Sequence, residues 1–285
     1  MNYKEKKAAE EAYNNLQFKD DYLFCKILTE RPDIAKELVE LILGVKIREV
    51  VVQKQKPIEI TADGRGIRLD VYLEDDRNTV YDLEMQTARK SNLPKRSRYY
   101  QGMIDLDMIG RGADFSELKK SYVIFICMED PFDRGNYIYS FENICKENEM
   151  PLEDGAYKIF LNASGTRGDV SGELKDFFLL LKEGKGESEL SKKIAAEVEK
   201  AKAYDEWRIE FMTLYMRDKE KIQEGMEKGR IEGRIEGRTE EREDIQRAIS
   251  ILQKQHRNSD EILRVVSDVE FRQKVLEQYL EGAKE

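Results

Sequence analysis

The chain has 285 residues, 38% charged and 40% apolar, with a formal net charge of −9 at pH 7. A charged share well above the roughly 25% of an ordinary domain points to long solvated helices, and the acidic balance excludes a histone-like blanket binder of nucleic acid while leaving room for a local basic groove. The single histidine, His256, excludes zincins, Ser-His-Asp triads and two-His metal sites, so any catalysis must rest mainly on carboxylates.

At the amino end, MNYKEKKAAEEAYNN carries no apolar signal region, so no secretory export is indicated. Residues 18–30 and 32–43 predict two helices, with Pro32 suited to the first turn of the second and Gly44 to its end. Strand-like pieces follow at 51–61, 66–75 and 79–86. A helix is expected from Leu93 to Ile109, with Pro94 near its start and Gly110 beyond its end. The run SYVIFICM at 121–128 is apolar on both faces, which predicts a central buried strand. Weaker strands are expected at 136–141 and 157–163. The order is that of a mixed α/β core.

Near residue 180 the character changes. Before it, apolar runs alternate with turns; after it, charge dominates and strands disappear. The expected organisation is therefore an α/β domain over 1–180 and a charged α-helical region over 181–285. Within the latter, 225–242 is a near-repeat, GMEKGRIEGRIEGRTEER. Its glycines (225, 229, 233, 237), arginines (230, 234, 238, 242) and glutamates (232, 236, 240) recur every four residues. On a helix that step advances about 40° past one turn, so each class winds as a slow stripe. Interior glycines cost about 1 kcal/mol each against alanine. Three uses stay open: a solvated connector, self-association through the Gly/Ile faces, and an arginine stripe on nucleic acid. No apolar run approaches the ~18 residues that cross a bilayer, so no membrane is expected. Cys25, Cys127 and Cys145 form a sparse set without CxxC, which fits reduced thiols in the cytoplasm.

The chemistry concentrates in 65–86, RGIRLDVYLEDDRNTVYDLEMQ. Ile67, Leu69, Val71 and Leu73 alternate with Arg68, Asp70 and Tyr72; Tyr81, Leu83 and Met85 alternate with Asp82, Glu84 and Gln86. Period two gives two strands, and the DDRN between them signals a hairpin. With Asp76-Arg77-Asn78 as the loop, Asp70 falls opposite Glu84, Arg68 opposite Gln86 and Tyr72 opposite Asp82, partners sharing one face. Two carboxylates about 5 Å apart repel by roughly 3 kcal/mol at an effective dielectric near 20. Either a hard divalent cation offsets that, or this is a solvated face where Arg68 neutralises Asp70.

Here the residues resemble a family. Asp70 of LD at 69–70, thirteen residues, then Glu84 of LEMQ at 83–86 is similar to the D…(D/E)xK core of the PD-(D/E)XK nuclease superfamily, and more closely to its recombination-promoting nuclease/putative transposase branch. DDYLFCKIL at 20–28 looks like that branch's opening helix, and residues 93–127, with KRSRYY, look like its following helix and buried strand. The resemblance covers roughly 18–165. It implies a restriction-endonuclease-like core, a mixed central sheet flanked by helices, followed by the α-helical C-terminal region. It further implies a Mg²⁺- (or Mn²⁺-) dependent DNA endonuclease associated with recombination or mobile elements. Asp70 and Glu84 would be the metal carboxylates, the backbone carbonyl of Met85 a third ligand, and Gln86 would stand in the place of the superfamily's lysine. Leu69 replaces the superfamily's proline.

Asp21 or Glu37, on the N-terminal helices, is a candidate supporting acid, with an ordinary solvated helix position as the alternative for each. Lys95, Arg96 and Arg98 crowd the first turns of a helix, where cations oppose the dipole unless an anion binds. They are candidate DNA contacts, or solvated charges. Cutting both strands calls for two cores, hence a homodimer. The competing readings are a nuclease fold that binds DNA or protein without efficient cleavage, and an oligomerisation protein working through its C-terminal helix.

Overall fold

The computed structural model describes residues 3–54, 56–58 and 66–282. Helix α1 (Tyr3–Asn14) precedes α2 (Asp21–Glu30) and α3 (Pro32–Leu43). Pro32 opens α3, and Gly44 closes it in the left-handed conformation at φ 65°, as the sequence predicts. Then come β1 (Val50–Lys54), β2 (Pro57–Ile58), β3 (Ile67–Arg68), β4 (Val71–Asp75) and β5 (Val80–Gln86). Residues 55 and 59–61 of the strand expected over 51–61 lie outside the described residues. Helix α4 (Leu93–Met108) leads to β6 (Ser121–Cys127), β7 (Ile138–Phe141) and β8 (Ala156–Asn162). Helices α5 (Gly172–Glu183), α6 (Glu189–Ala203), α7 (Asp205–Lys254), α8 (Ser259–Ser267) and α9 (Val269–Gly282) follow.

Six strands form one mixed sheet in the order β1-β4-β5-β6-β8-β7. β1, β4 and β5 are antiparallel; β5, β6 and β8 are parallel; β7 runs antiparallel to β8 along the edge. β2 and β3 make a separate two-stranded ribbon. β6 reads apolar on both faces because both faces are covered. Ile124 and Ile126 point into a core with α2, α3, α5 and α6, while Val123 and Phe125 point into a second core with α4.

The first compact unit runs to Met212, past the composition change at residue 180. It takes in α5 and α6, because Ile194, Val198 and Ala201 are buried in the main core and Tyr13 Oη donates to Ala201 O at 2.6 Å. Arg31 also pairs with Glu197 of α6. The second unit, from Thr213, has its own small core of Ala248, Ile251, Leu252, Val265 and Val275. Arg272, inside it, donates to Val265 O at 3.1 Å. The glycine-periodic 225–242 lies within α7, and residues 217–243 are exposed throughout. Among the described residues no helix is long and apolar enough to cross a membrane.

Candidate active site

The β4–β5 hairpin sets the site. Its loop is 76–78. Asp75 Oδ1 accepts from Arg77 N (2.9 Å) and Thr79 N (2.8 Å), and its Oδ2 accepts from Tyr81 Oη at 2.7 Å. Asn78 takes the left-handed position, φ 59°, that closes three-residue hairpins of this kind. This loop fixes the register: Val71 pairs Leu83, Tyr72 pairs Asp82, Leu73 pairs Tyr81. Leu83 and Met85 therefore point into the main core, while Asp82, Glu84 and Gln86 point toward α4.

The ladder stops at Val71. Leu69 N instead donates to Lys56 O at 3.1 Å, and Arg68 pairs Pro57 in the small ribbon. Arg68 therefore does not lie opposite Gln86, as the extended hairpin predicts; the strand peels away to meet β2. Asp70 sits at the point of departure, where the peeling strand leaves Met85 N without a ladder acceptor. Asp70 Oδ2 accepts from it at 3.2 Å, and Asp70 N donates to Glu84 Oε1 at 3.1 Å. The two carboxylates are thus held by each other's segments.

Three acids share this region. Asp82 and Glu84 are 0% and 1% exposed. Burial, then the neighbouring carboxylates, pushes both well above the usual carboxylate range. Asp70 is raised to about 7 by burial and by the charge of Asp21, against the opposing pull of Met85 N–H, Arg68 and Arg96. Among the described residues, neither oxygen of Asp82 has a hydrogen-bond partner. Arg96, from the first turns of α4, approaches Glu84 Oε2 at 3.3 Å and donates to Gln86 Oε1 at 3.0 Å and Tyr100 Oη at 2.8 Å. The amide of Gln86 is engaged at both ends, since its Nε2 donates to Met85 O at 2.7 Å.

The two supporting acids separate clearly. Asp21, Cys25 and Asp70 offer ligand atoms within 4.8 Å of one another. Glu37 instead pairs with Lys193 of α6 at 2.6 Å. Of the basic trio, Arg96 turns inward to the acids while Lys95 and Arg98 remain exposed. Sequence reasoning passed over Asp82 as a site residue. Its place on the Glu84 face was available from period two; its complete burial was not. Asp70, Asp82 and Glu84, with Arg96 and Arg68 as the guanidiniums acting on them among the described residues, make an oxygen-rich cluster, the donor set that a hard cation fits.

The family model for PD-(D/E)XK nuclease family transposases matches residues 18–202. No curated protein and no solved structure matches the chain. The matched stretch contains the whole mixed sheet, the helices on both its faces and each acid of the cluster, and the chain belongs to the PD-(D/E)XK nuclease family transposases.

Proposed function

We propose that the protein is a divalent-metal-dependent DNA endonuclease, hydrolysing phosphodiester bonds in recombination or element mobility. The observation that carries this reading is the mutual hold of Asp70 and Glu84 through Asp70 N–Glu84 Oε1 and Met85 N–Asp70 Oδ2. It fixes a half-buried and a buried carboxylate side by side, with Arg96 acting on both and Arg68 on Asp70. Asp70, Glu84 and the carbonyl of Met85 would hold the ion, with Asp21 in support. When bound, Mg²⁺ or Mn²⁺ lowers the pKa of a water and withdraws charge from phosphoryl oxygens.

The chain's own groups do the rest. Gln86 cannot take a proton at neutral pH, but its amide orients the attacking water by hydrogen bonding. Lys95 and Arg98, at the start of α4, hold phosphates beside the cut, where helix N–H groups favour an anion. Arg96 keeps Glu84 and Gln86 in place from the α4 side. Cutting both strands takes two such sites, hence a homodimer. Cys25, Cys127 and Cys145 are in no disulfide, which supports a cytoplasmic protein.

One observation favours a second reading. Gln86 Nε2 rests on Met85 O, the carbonyl assigned to the ion. A chain that keeps that bond would bind DNA without cutting it. Incubating supercoiled plasmid with full-length protein and Mg²⁺ or Mn²⁺ separates the two. Nicking that falls on the order of a hundredfold or more in Asp70→Asn and Glu84→Gln, with calorimetric Mn²⁺ binding lost in both, supports the nuclease. Wild-type protein that binds DNA but never nicks it with either ion leaves the binding module.

A further inference from the structure

We infer that Cys25 makes the acid cluster a site for a thiophilic divalent cation of the zinc class, held by Asp21, Cys25 and Asp70 in competition with the hard ion. The inference rests on the nuclease reading, since Asp21 and Asp70 are also offered to that ion, and it names what regulates the same site. Asp21 and Cys25 stand four residues apart on α2, so their side chains share one helix face. α2 packs on β1 and β4, and that face meets Asp70 at the head of β4. One ligand atom from each of the three lies within 4.8 Å of the others. Cys25 Sγ donates to Asp21 Oδ1 at 3.7 Å. Ligands at about 2.3 Å (sulfur) and about 2.1 Å (oxygen) from a tetrahedral ion stand about 3.6 Å apart. The thiol–carboxylate pair therefore already has the separation that an ion in place of the thiol proton requires.

Charge and softness tell which cation. Burial and then the Asp21 charge raise Asp70, so the two acids repel. Asp82, 0% exposed and without a hydrogen bond to either oxygen among the described residues, lies within reach of the Asp70 charge. A cation between Asp21 and Asp70 relieves both. Magnesium is suited by oxygen donors, whereas a thiolate is the soft donor that selects zinc-class ions. On binding, the Cys25 thiol releases its proton to solvent and its sulfur takes the coordination position. Two carboxylates and one thiolate leave a fourth tetrahedral position for water. The ion enters past Asp21, which is exposed, to reach Cys25, which is 2% exposed. Among the described residues no other cysteine belongs to such a group. Cys127 is buried in the core with α4, and Cys145 donates to Glu147 on its own loop at 3.1 Å.

The test titrates reduced full-length protein with Co²⁺, a zinc surrogate whose bond to a thiolate gives a charge-transfer band in the near ultraviolet. The band should appear in the wild type and in Cys145→Ser, and be lost in Cys25→Ala and Cys25→Ser. Zn²⁺ should displace it, and excess Mn²⁺ should diminish it, as shared acids require. It should weaken in Asp21→Ala, whose exposed position spares the core if the Cys25 variants lose stability. Zn²⁺ affinity by calorimetry should fall roughly tenfold or more in Cys25→Ala. No band in the wild type, a band unchanged in Cys25→Ala, or one that disappears in Cys145→Ser overturns the site. A band indifferent to Mn²⁺ overturns the competition. Nicking of plasmid by the wild type with Mn²⁺ is scored separately. A band without nicking overturns the nuclease reading and leaves the thiolate site standing; nicking without a band overturns the thiolate site alone.

Discussion

Asp70 is the residue where fold and chemistry are most tightly joined. Its main chain marks the end of the β4–β5 ladder, and its side chain replaces the missing ladder acceptor for Met85 N. Burial and Asp21 raise its pKa to about 7, from an unfolded value of roughly 3.9. A carboxyl raised on folding stabilises the fold fully below its unfolded pKa, and that contribution is lost as pH climbs through the folded one. The window is therefore about pH 4 to 7. In EDTA, the stability of wild type relative to Asp70→Asn should fall on the order of 2 kcal/mol between pH 5 and pH 7.5, read from urea melts of both proteins. A difference that does not move with pH would show that the Asp70 carboxyl is not desolvated. Asp82 illustrates what a single sequence hides. Alternation put it on the Glu84 face, but a polar residue on a strand face gives no sign that a helix will seal it to 0% exposure. Arg96, by its sequence a candidate DNA contact or a solvated charge, has its guanidinium turned back to Glu84 and Gln86, a placement that a basic run alone does not announce.

At the scale of elements, the hairpin was legible because its information is local. Period-two alternation fixes which side chains share a face, and the Asp–Asp–Arg–Asn stretch fixes the loop, so the register of residues 71–74 against 80–83 follows from the sequence. What failed was its extension to Arg68. The break at Leu69–Asp70 is imposed by β2, through Leu69 N–Lys56 O and the Pro57–Arg68 pair. That ribbon is a tertiary event, and no propensity within 66–75 announces it. The hairpin's integrity should depend on Asp75, an 8% exposed carboxylate serving Arg77 N, Thr79 N and Tyr81 Oη. Asp75→Ala leaves a buried hydroxyl and two main-chain donors without that acceptor, at about 1–3 kcal/mol for an unsatisfied buried group. We expect a loss of about 3 kcal/mol in urea unfolding, and weakened Mn²⁺ binding, since β4 and β5 carry the cluster. A loss under about 0.5 kcal/mol, the usual scatter of surface changes, would mean that strand pairing alone sets the register.

At the scale of the whole chain, the charge statistics pointed to residue 180 as the limit of the folded core, and they did so for a physical reason. α6 is rich in Lys and Glu, so its composition resembles that of the exposed part of α7. Its apolar residues, Ile194, Val198 and Ala201, are nevertheless spaced to make one helical stripe, and that stripe is buried against the main core. α6 adds the Arg31–Glu197 and Lys193–Glu37 pairs and the Tyr13 Oη–Ala201 O bond. The first turns of α7 add Tyr22 Oη–Trp207 O at 2.8 Å and the Lys26–Glu210 pair. A chain cut after Met212 keeps all of these; a chain cut after Gly184 loses all but the intact α1–α5 packing. The 1–212 fragment should therefore unfold cooperatively with nearly the full-length midpoint for its core. The 1–184 fragment exposes the surfaces that Ile194 and Val198 cover, at about 2–5 kcal/mol for each large buried side chain removed, and should melt far lower or fail to fold. Thermal melts followed by near-ultraviolet circular dichroism check this directly. A 1–184 fragment as stable as 1–212 would return the limit of the core to residue 180 and make α6 an appendage.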